Sequence, residues 1–131
     1  MDAATVNRFL NEYLEAFAAC VHGEREIGSL LDYYGVPLII TSDDGVIALT
    51  TDSDVVTVIQ SQIDGLRGLR FRRTEVLQSA VTGLNATSAL YRASLARRDD
   101  TGKEIDCPTI TYVVTDGEPG PRIAVLAAHG G

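Results

Sequence analysis

Tyrosines on predicted apolar faces are the side chains of this sequence with the clearest potential for chemistry. Tyr13 and Tyr34 lie on the apolar stripes of two predicted helices, and Tyr91 lies in a predicted strand among small apolar residues. A buried tyrosine packs its ring in apolar surroundings while its hydroxyl takes a hydrogen-bond partner. Each of the three could therefore bind a ligand or pack in the core, and Tyr13 is our first candidate for a catalytic donor.

Asp32 is the acid closest in sequence to Tyr34, and it ends the second predicted helix. A carboxylate beside an apolar pocket can serve as a general base, whereas a solvated carboxylate at a helix end has no such role. Asp106 is another acid that an enzyme of this kind could use. Tyr13 and Asp32 are thus the predicted catalytic residues, with a purely structural role as the alternative for both.

The cysteines and histidines do not form a recognisable reactive site. Cys20 and Cys107 are too few for a disulfide framework, and His22 and His129 form no metal-binding cluster. The sequence has no Ser–His–Asp, Cys–His or phosphate-loop pattern. We therefore predict no metal site and no cofactor.

The net charge of −7 disfavours a nucleic-acid partner, because affinity for nucleic acid comes largely from basic side chains that neutralise phosphates. No apolar run approaches the roughly 20 residues that a membrane-spanning helix needs. The first residues lack the basic start and apolar stretch of a signal peptide. We expect a cytoplasmic protein with one domain over residues 1–131, ordered over about 4–128, and with no membrane or nucleic-acid partner.

Apolar residues recur every three or four positions in three stretches, a spacing typical of helices that cover a core. The first stretch spans residues 6–21, with Thr5 or Asn7 as the expected cap. The second is short and covers residues 27–34. The third begins in Thr51-Asp52-Ser53-Asp54, which supplies an N-cap and an acidic first turn. Its apolar side consists of Val55, Val56, Ile59, Ile63 and Leu66.

Strand-forming residues and turn signals predict six strands. Two short strands, 36–41 and 46–50, flank a hairpin turn at Ser42-Asp43-Asp44-Gly45. Reversals rich in glycine, proline and aspartate separate four long strands, which are 69–81, 86–98, 104–115 and 121–128. The order ααββαββββ predicts an α+β roll, in which three helices pack on one face of a strongly curved, mostly antiparallel sheet.

Alternation along the long strands predicts which side chains face the helices. In the second long strand the more apolar set is expected on the concave face, which places Arg92 outside; that set is Ala89, Tyr91, Ala93 and Leu95. In the third long strand two sets compete for the concave face. They are Ile105, Cys107, Thr109 and Thr111 on one side, and Ile110, Tyr112 and Val114 on the other.

The order and lengths of these elements resemble those of the nuclear-transport-factor-2-like (NTF2-like) superfamily. This superfamily has a cystatin-like fold and includes ketosteroid isomerases, SnoaL-like polyketide cyclases and limonene epoxide hydrolases. The likeness covers nearly the whole chain, and it also rests on the pattern Glu12-Tyr13-Leu14-Glu15-Ala16-Phe17 and on residues 122–128 as a closing strand. It implies a pocket between the helices and the concave sheet, and a homodimer formed through the outer face of the sheet.

The resemblance also implies which residues line the pocket and which catalytic groups it holds. Tyr13 matches the first-helix tyrosine that donates to the oxyanion in ketosteroid isomerases, but the positions of the two catalytic acids read Thr109-Ile110 and Ile39-Ile40-Thr41. For the Asp-Arg-Asp arrangement of the epoxide hydrolases, Arg92 supplies the arginine and Ser94 stands where an aspartate is needed. The expected ligand-binding residues are Tyr13, Phe17, Tyr34, Ile59, Ile63, Tyr91 and Thr109.

We therefore predict a domain that binds a hydrophobic small molecule in an apolar, tyrosine-lined pocket, with the family's catalytic acids absent. The first alternative is an isomerase or cyclase that uses Tyr13 and an acid such as Asp32 or Asp106. The second is a dimeric interaction module whose pocket is filled by its own side chains. An ionisable group inside the cavity would favour the first alternative, and a cavity well below about 300 Å³ would favour the second.

Overall fold

The helical layer consists of three segments that cover one face of the sheet. In the computed structural model, which describes residues 1–130, α1 spans Ala3–Val21, a 3₁₀ helix spans Ile27–Asp32 and α2 spans Asp52–Gly68. The second predicted helix is thus a short 3₁₀ segment, and Tyr34 already belongs to the first strand. The predicted domain ends at Gly131, which lies outside the described residues.

Helix α1 begins earlier than predicted because Asp2 caps it. The Asp2 carboxylate accepts a hydrogen bond from the N–H of Thr5 at 2.8 Å, which satisfies one of the donors left free in the first helical turn. The prediction that Thr5 or Asn7 is the cap was therefore wrong. The predicted apolar stripe is confirmed, since its members are buried: Val6, Phe9, Leu10, Tyr13, Phe17, Cys20 and Val21.

Helix α2 is capped as predicted and is tied to the end of α1. The Thr51 hydroxyl accepts a hydrogen bond from the N–H of Asp54 at 3.1 Å. At the other end of α2, the Arg67 side chain donates to the backbone oxygens of Cys20 and Val21 at 3.0 and 2.8 Å. Within residues 1–130, no helix combines the length and the apolar character that crossing a bilayer requires.

The sheet has seven strands rather than the predicted six. They are β1 (Tyr34–Ser42), β2 (Gly45–Leu49), β3 (Phe71–Asn85), β4 (Ser88–Asp99), β5 (Glu104–Asp106), β6 (Thr109–Gly117) and β7 (Gly120–Ala128). The single strand predicted over 104–115 was wrong, because Cys107 and Pro108 divide it into β5 and β6, which both pair with β4. Proline has no N–H to donate to a neighbouring strand, so it interrupts the ladder.

The strand order is β2-β1-β7-β6-β4-β3, with β5 paired to β4 beside β6. The antiparallel meander of the second half of the chain is confirmed, and β1 adds to β7 as the one parallel pair among the described strands. Register shifts interrupt several ladders, as at Val76/Gln78 in the β3–β4 pair. Such bulges increase the local twist and bend the strand, which agrees with the predicted curvature of the sheet.

The concave face of the sheet meets the helices and forms the core. The predicted inward set of β4 is confirmed, because Ala89, Tyr91, Ala93 and Leu95 are at most 3% exposed while Arg92 is exposed. In β6, Tyr112 and Val114 are buried at 3% and 0%. The choice that the sequence left open is therefore decided in favour of the set with Ile110, Tyr112 and Val114.

We predict that Thr51→Ala lowers the free energy of unfolding by about 1 kcal/mol, because the substitution removes the side-chain cap of α2. The control is Thr57→Ala, the same substitution at an exposed position inside α2, where alanine is the better helix former. Urea unfolding followed by circular dichroism measures both. An equal loss of stability in the two variants would contradict the capping role of Thr51.

Candidate functional site

A cavity of about 310 Å³ lies between α1, α2 and the concave face of the sheet. Helix α1 contributes Leu14 and Phe17 to its wall, and α2 contributes Val58 and Ile59. The remaining apolar wall comes from strands, namely Ile40, Leu95, Ile110 and Leu126. The space is thus enclosed mainly by hydrocarbon, and it can hold the apolar part of a small molecule.

A shallower groove of about 350 Å³ adjoins this cavity between α1 and β3. The two share Leu14 and Thr74, and Glu15 and Arg73 lie along the groove. The groove is therefore more polar than the cavity, and the two share part of their walls.

The Tyr13 and Tyr34 hydroxyls form a buried hydrogen bond of 2.5 Å, and their rings meet edge to face with centroids 5.4 Å apart. Burial raises the pKa of both tyrosines well above the ordinary value, so both remain protonated. Tyr13 lines the cavity, whereas Tyr34 is not part of its wall. Either hydroxyl can be the donor of this bond, and the hydroxyl that accepts keeps its own hydrogen.

Tyr112 is the second tyrosine that lines the cavity, and its hydroxyl differs from those of Tyr13 and Tyr34. Its side chain is 3% exposed, yet among residues 1–130 its hydroxyl makes no hydrogen bond. In the same part of the chain, no side-chain oxygen or nitrogen that is sealed from solvent lacks a partner, so the Tyr112 oxygen opens into the cavity. Burial raises the pKa of Tyr112, which keeps this hydroxyl a hydrogen-bond donor.

Arg97 brings a charge to the cavity, and a carboxylate beside the cavity neutralises it. The Arg97 Nε donates to Asp106 Oδ1 at 2.7 Å, and its second guanidinium nitrogen donates to Oδ2 at 2.6 Å. The Arg97 side chain is 20% exposed and lines the cavity, while that of Asp106 is 45% exposed and does not. A bidentate pair of this kind holds both side chains in a defined geometry.

Neither Arg97 nor Tyr112 was among the ligand-binding residues that the sequence predicted. Continuing the inward set of β4 by two residues beyond Leu95 leads directly to Arg97, so strand alternation alone could have found it. Tyr112 was on one of the two competing faces of its strand. Its inward position follows from the pairing of β6 with β4, in which Tyr112 lies opposite the inward Tyr91.

The predicted pocket residues are divided between the cavity, the core and the outer face. Tyr13, Phe17 and Ile59 line the cavity. Three others are buried in the core and are not part of the cavity wall: Tyr34, Ile63 and Tyr91. Thr109 lies outside the cavity wall, because its hydroxyl is 3.4 Å from that of Ser94, on the opposite face of the sheet.

The predicted catalytic acids do not reach the cavity either. Asp32 ends the 3₁₀ helix as an exposed residue and is outside the cavity wall. Asp99 follows Arg97 at the spacing of the epoxide hydrolase arrangement, but its carboxylate accepts the N–H groups of Thr101 and Lys103 in the β4–β5 turn. Among the described residues that line the cavity, Arg97 is the one charged side chain, and none is a carboxylate, histidine or cysteine.

Comparison with known proteins gives a family match over residues 2–131, and that family is described as NTF2-like protein (DUF6841). A search of curated proteins finds no significant match. The fold has many counterparts among solved structures. An NTF2-like protein of unknown function from Shewanella oneidensis MR-1 has a TM-score of 0.75 at 11% identity, over 99% of this chain and 100% of its own.

Two further structures show the range of this similarity. A protein of unknown function with a cystatin-like fold from Nostoc punctiforme PCC 73102 has a TM-score of 0.74 at 8% identity, over 98% of this chain and 90% of its own. A ketosteroid isomerase-like protein from Erwinia carotovora atroseptica SCRI1043 has a TM-score of 0.62 at 12% identity, over 96% of this chain and 93% of its own. Identities this low establish the fold alone, and they confirm the predicted cystatin-like α+β architecture.

We predict that Tyr13→Phe destabilises the protein more than Tyr34→Phe, although each removes one hydroxyl of the same hydrogen bond. Tyr13→Phe leaves the Tyr34 hydroxyl without a partner at a position outside the cavity wall. A buried unpaired group of this kind lowers the free energy of unfolding by about 1–3 kcal/mol. Tyr34→Phe leaves the unpaired hydroxyl on Tyr13, whose residue lines the cavity. We expect water in the cavity to bind this hydroxyl, so the loss should be about 1 kcal/mol or less.

Urea unfolding measures this difference. The control is Tyr33→Phe, because the Tyr33 ring packs against Tyr13 and Phe9 but its residue is only half-buried. A larger loss in Tyr34→Phe than in Tyr13→Phe would contradict the assignment of Tyr13 as the hydroxyl that faces the cavity.

Proposed function

The chain belongs to the NTF2-like protein family (DUF6841), and we propose that its domain binds a small, mainly apolar molecule that carries a hydrogen-bond acceptor. The observation that carries this proposal is the Tyr112 hydroxyl. It belongs to a side chain that is 3% exposed, it faces the cavity, and it has no partner among the described residues. A ligand with an acceptor would complete this hydrogen bond while its apolar body contacts the surrounding wall.

The size of the cavity supports a ligand rather than a filled core. Ligand sites in proteins commonly enclose about 300–1,000 Å³, with mostly apolar walls and a few polar groups that orient the ligand. The cavity of about 310 Å³ lies at the lower end of that range. The alternative of an interaction module with a pocket filled by its own side chains therefore has less support.

The chemistry of the wall favours binding over proton-transfer catalysis. Tyr13 and Tyr112 could both donate to a developing oxyanion, but proton abstraction also needs a base within reach of the substrate. The described wall holds no carboxylate or histidine, and the carboxylate of Asp106 accepts two hydrogen bonds from Arg97. The isomerase or cyclase alternative therefore lacks a placed base.

We predict that the protein binds 2-acetylnaphthalene, and that Tyr112→Phe weakens this binding by about 2- to 12-fold, which corresponds to one neutral hydrogen bond. The hydrocarbon 2-ethylnaphthalene has nearly the same shape without the acceptor, so its affinity should be the same in both proteins. Titration followed by naphthalene fluorescence gives the four dissociation constants.

The control variant is Tyr91→Phe, which removes a hydroxyl from a core tyrosine of β4 outside the cavity wall. It should leave the affinities for both probes unchanged. Failure of the wild-type protein to bind either probe would contradict the proposed function. An equal loss of affinity for both probes in Tyr112→Phe would contradict the role of the hydroxyl.

We also propose that two copies of the chain associate through the outer face of the sheet. Leu90, Val113, Val125 and Ile39 are direct cross-strand partners on β4, β6, β7 and β1, and they form one continuous apolar row. All four are half-buried and none packs against the core. A self-complementary apolar surface of this kind suits a two-fold dimer.

A charge in the middle of this row should separate the two copies. We predict that Val113→Arg shifts a dimer to monomer, because two arginines would then be buried in one interface. Sedimentation equilibrium measures the mass, and Ser61→Arg, at an exposed position of α2, is the control with the same charge change. A wild-type protein that remains monomeric at high concentration would contradict this proposal.

A further inference from the structure

We infer that Asp106 determines which ligands the cavity accepts: by neutralising Arg97, it makes the cavity prefer an uncharged acceptor, such as a ketone or ester carbonyl, over a carboxylate. This inference rests on the proposed binding function and adds the chemical class of the ligand. Asp106 does not line the cavity, so it is a specificity-determining residue that acts through Arg97.

The backbone holds this pair together. Arg97 in β4 and Asp106 in β5 are direct partners in the antiparallel ladder. Their side chains then form two hydrogen bonds of 2.7 and 2.6 Å. Because the ladder places the two residues opposite one another, the carboxylate is positioned before any ligand arrives.

The ion pair with Asp106 compensates the positive charge of Arg97 but leaves some of its N–H groups free to donate hydrogen bonds. A guanidinium carries five N–H donors, and two of them go to Asp106. Its other N–H groups make no hydrogen bond within residues 1–130, and because Arg97 lines the cavity, we expect an acceptor there to reach them. A ligand therefore meets hydrogen-bond donors from Arg97, while the arginine's positive charge is already compensated.

An anionic ligand would pay a cost that a neutral one avoids. Moving a carboxylate from water into an apolar cavity is unfavourable unless a positive charge compensates it. Here the positive charge is already paired with Asp106, and the other polar groups on the wall are neutral, since Tyr13 and Tyr112 remain protonated. A neutral carbonyl accepts the same hydrogen bonds without this penalty.

The test compares 2-acetylnaphthalene with 2-naphthoate, which share the ring system and differ in the charge of the acceptor. In the wild-type protein we expect the ketone to bind at least about 10-fold more tightly than the carboxylate, which corresponds to about 1.4 kcal/mol. The ratio that we compare is the dissociation constant of 2-naphthoate divided by that of 2-acetylnaphthalene. In Asp106→Asn this ratio should fall by about 10-fold or more, because 2-naphthoate then meets an uncompensated Arg97. The affinity for the ketone should change little.

The matched control is Glu104→Gln, which removes the same charge from the same strand at a residue that does not bond to Arg97. It should keep the wild-type ratio. Asp106→Ser serves as a second variant, and circular dichroism and urea unfolding establish that each variant is folded. Equal changes of the ratio in Asp106→Asn and Glu104→Gln would overturn the inference, as would tighter binding of 2-naphthoate to the wild-type protein.

The outcome also separates this inference from the proposed function. If 2-acetylnaphthalene binds and the ratio is the same in the wild-type protein and both Asp106 variants, only the role of Asp106 is overturned. If neither probe binds to the wild-type protein, the binding function itself is overturned.

Discussion

Side chains of β4 alternate between the two faces of the sheet, and the core, the cavity and the outer surface all depend on this alternation. The inward row places Ala89, Tyr91, Ala93 and Leu95 in the core and then reaches Arg97 at the cavity. The outward row includes Leu90 and Arg92. Because β4 is paired with β3 on one side and with β5 and β6 on the other, a shift of its register by one residue would exchange both rows.

The polar groups around the cavity differ in how far the protein itself satisfies them. Tyr13 and Tyr34 bond to each other, and Arg97 bonds to Asp106, so both pairs are stable without a ligand. The Tyr112 hydroxyl, by contrast, makes no hydrogen bond among the described residues and is not sealed from solvent. It is therefore the hydroxyl at the cavity wall that is free to donate to a ligand.

The pairing of β5 and β6 with β4 links the fold to the chemistry of the site. Both strands keep one register on β4 across Cys107 and Pro108, from Asp106 opposite Arg97 to Thr109 opposite Ser94. The first consequence is that the Asp106 carboxylate is held beside Arg97. The second is that Tyr112, opposite the inward Tyr91, also faces inward, so the donor and the neutralised arginine meet at one cavity.

Much of the fold was accessible from the sequence, because its signals are local. The apolar spacing of α1, the Thr51 cap of α2 and the inward set of β4 depend on residues a few positions apart, and each is found as predicted. Element order was enough to indicate the NTF2-like family and its cystatin-like architecture. The absence of acids at the family's catalytic positions could be read from the sequence as well.

The candidate site was decided only by the tertiary structure, because it depends on contacts between distant segments. Tyr13 meets Tyr34 across 21 positions of the chain, and no local pattern indicates that their hydroxyls bond to each other. Whether Tyr34 lines the cavity or lies behind it depends on how α1 packs on the sheet. The sequence alone determined an α+β roll with tyrosines in its core; packing between helices and sheet decided which hydroxyl stays unpaired and which charge is neutralised.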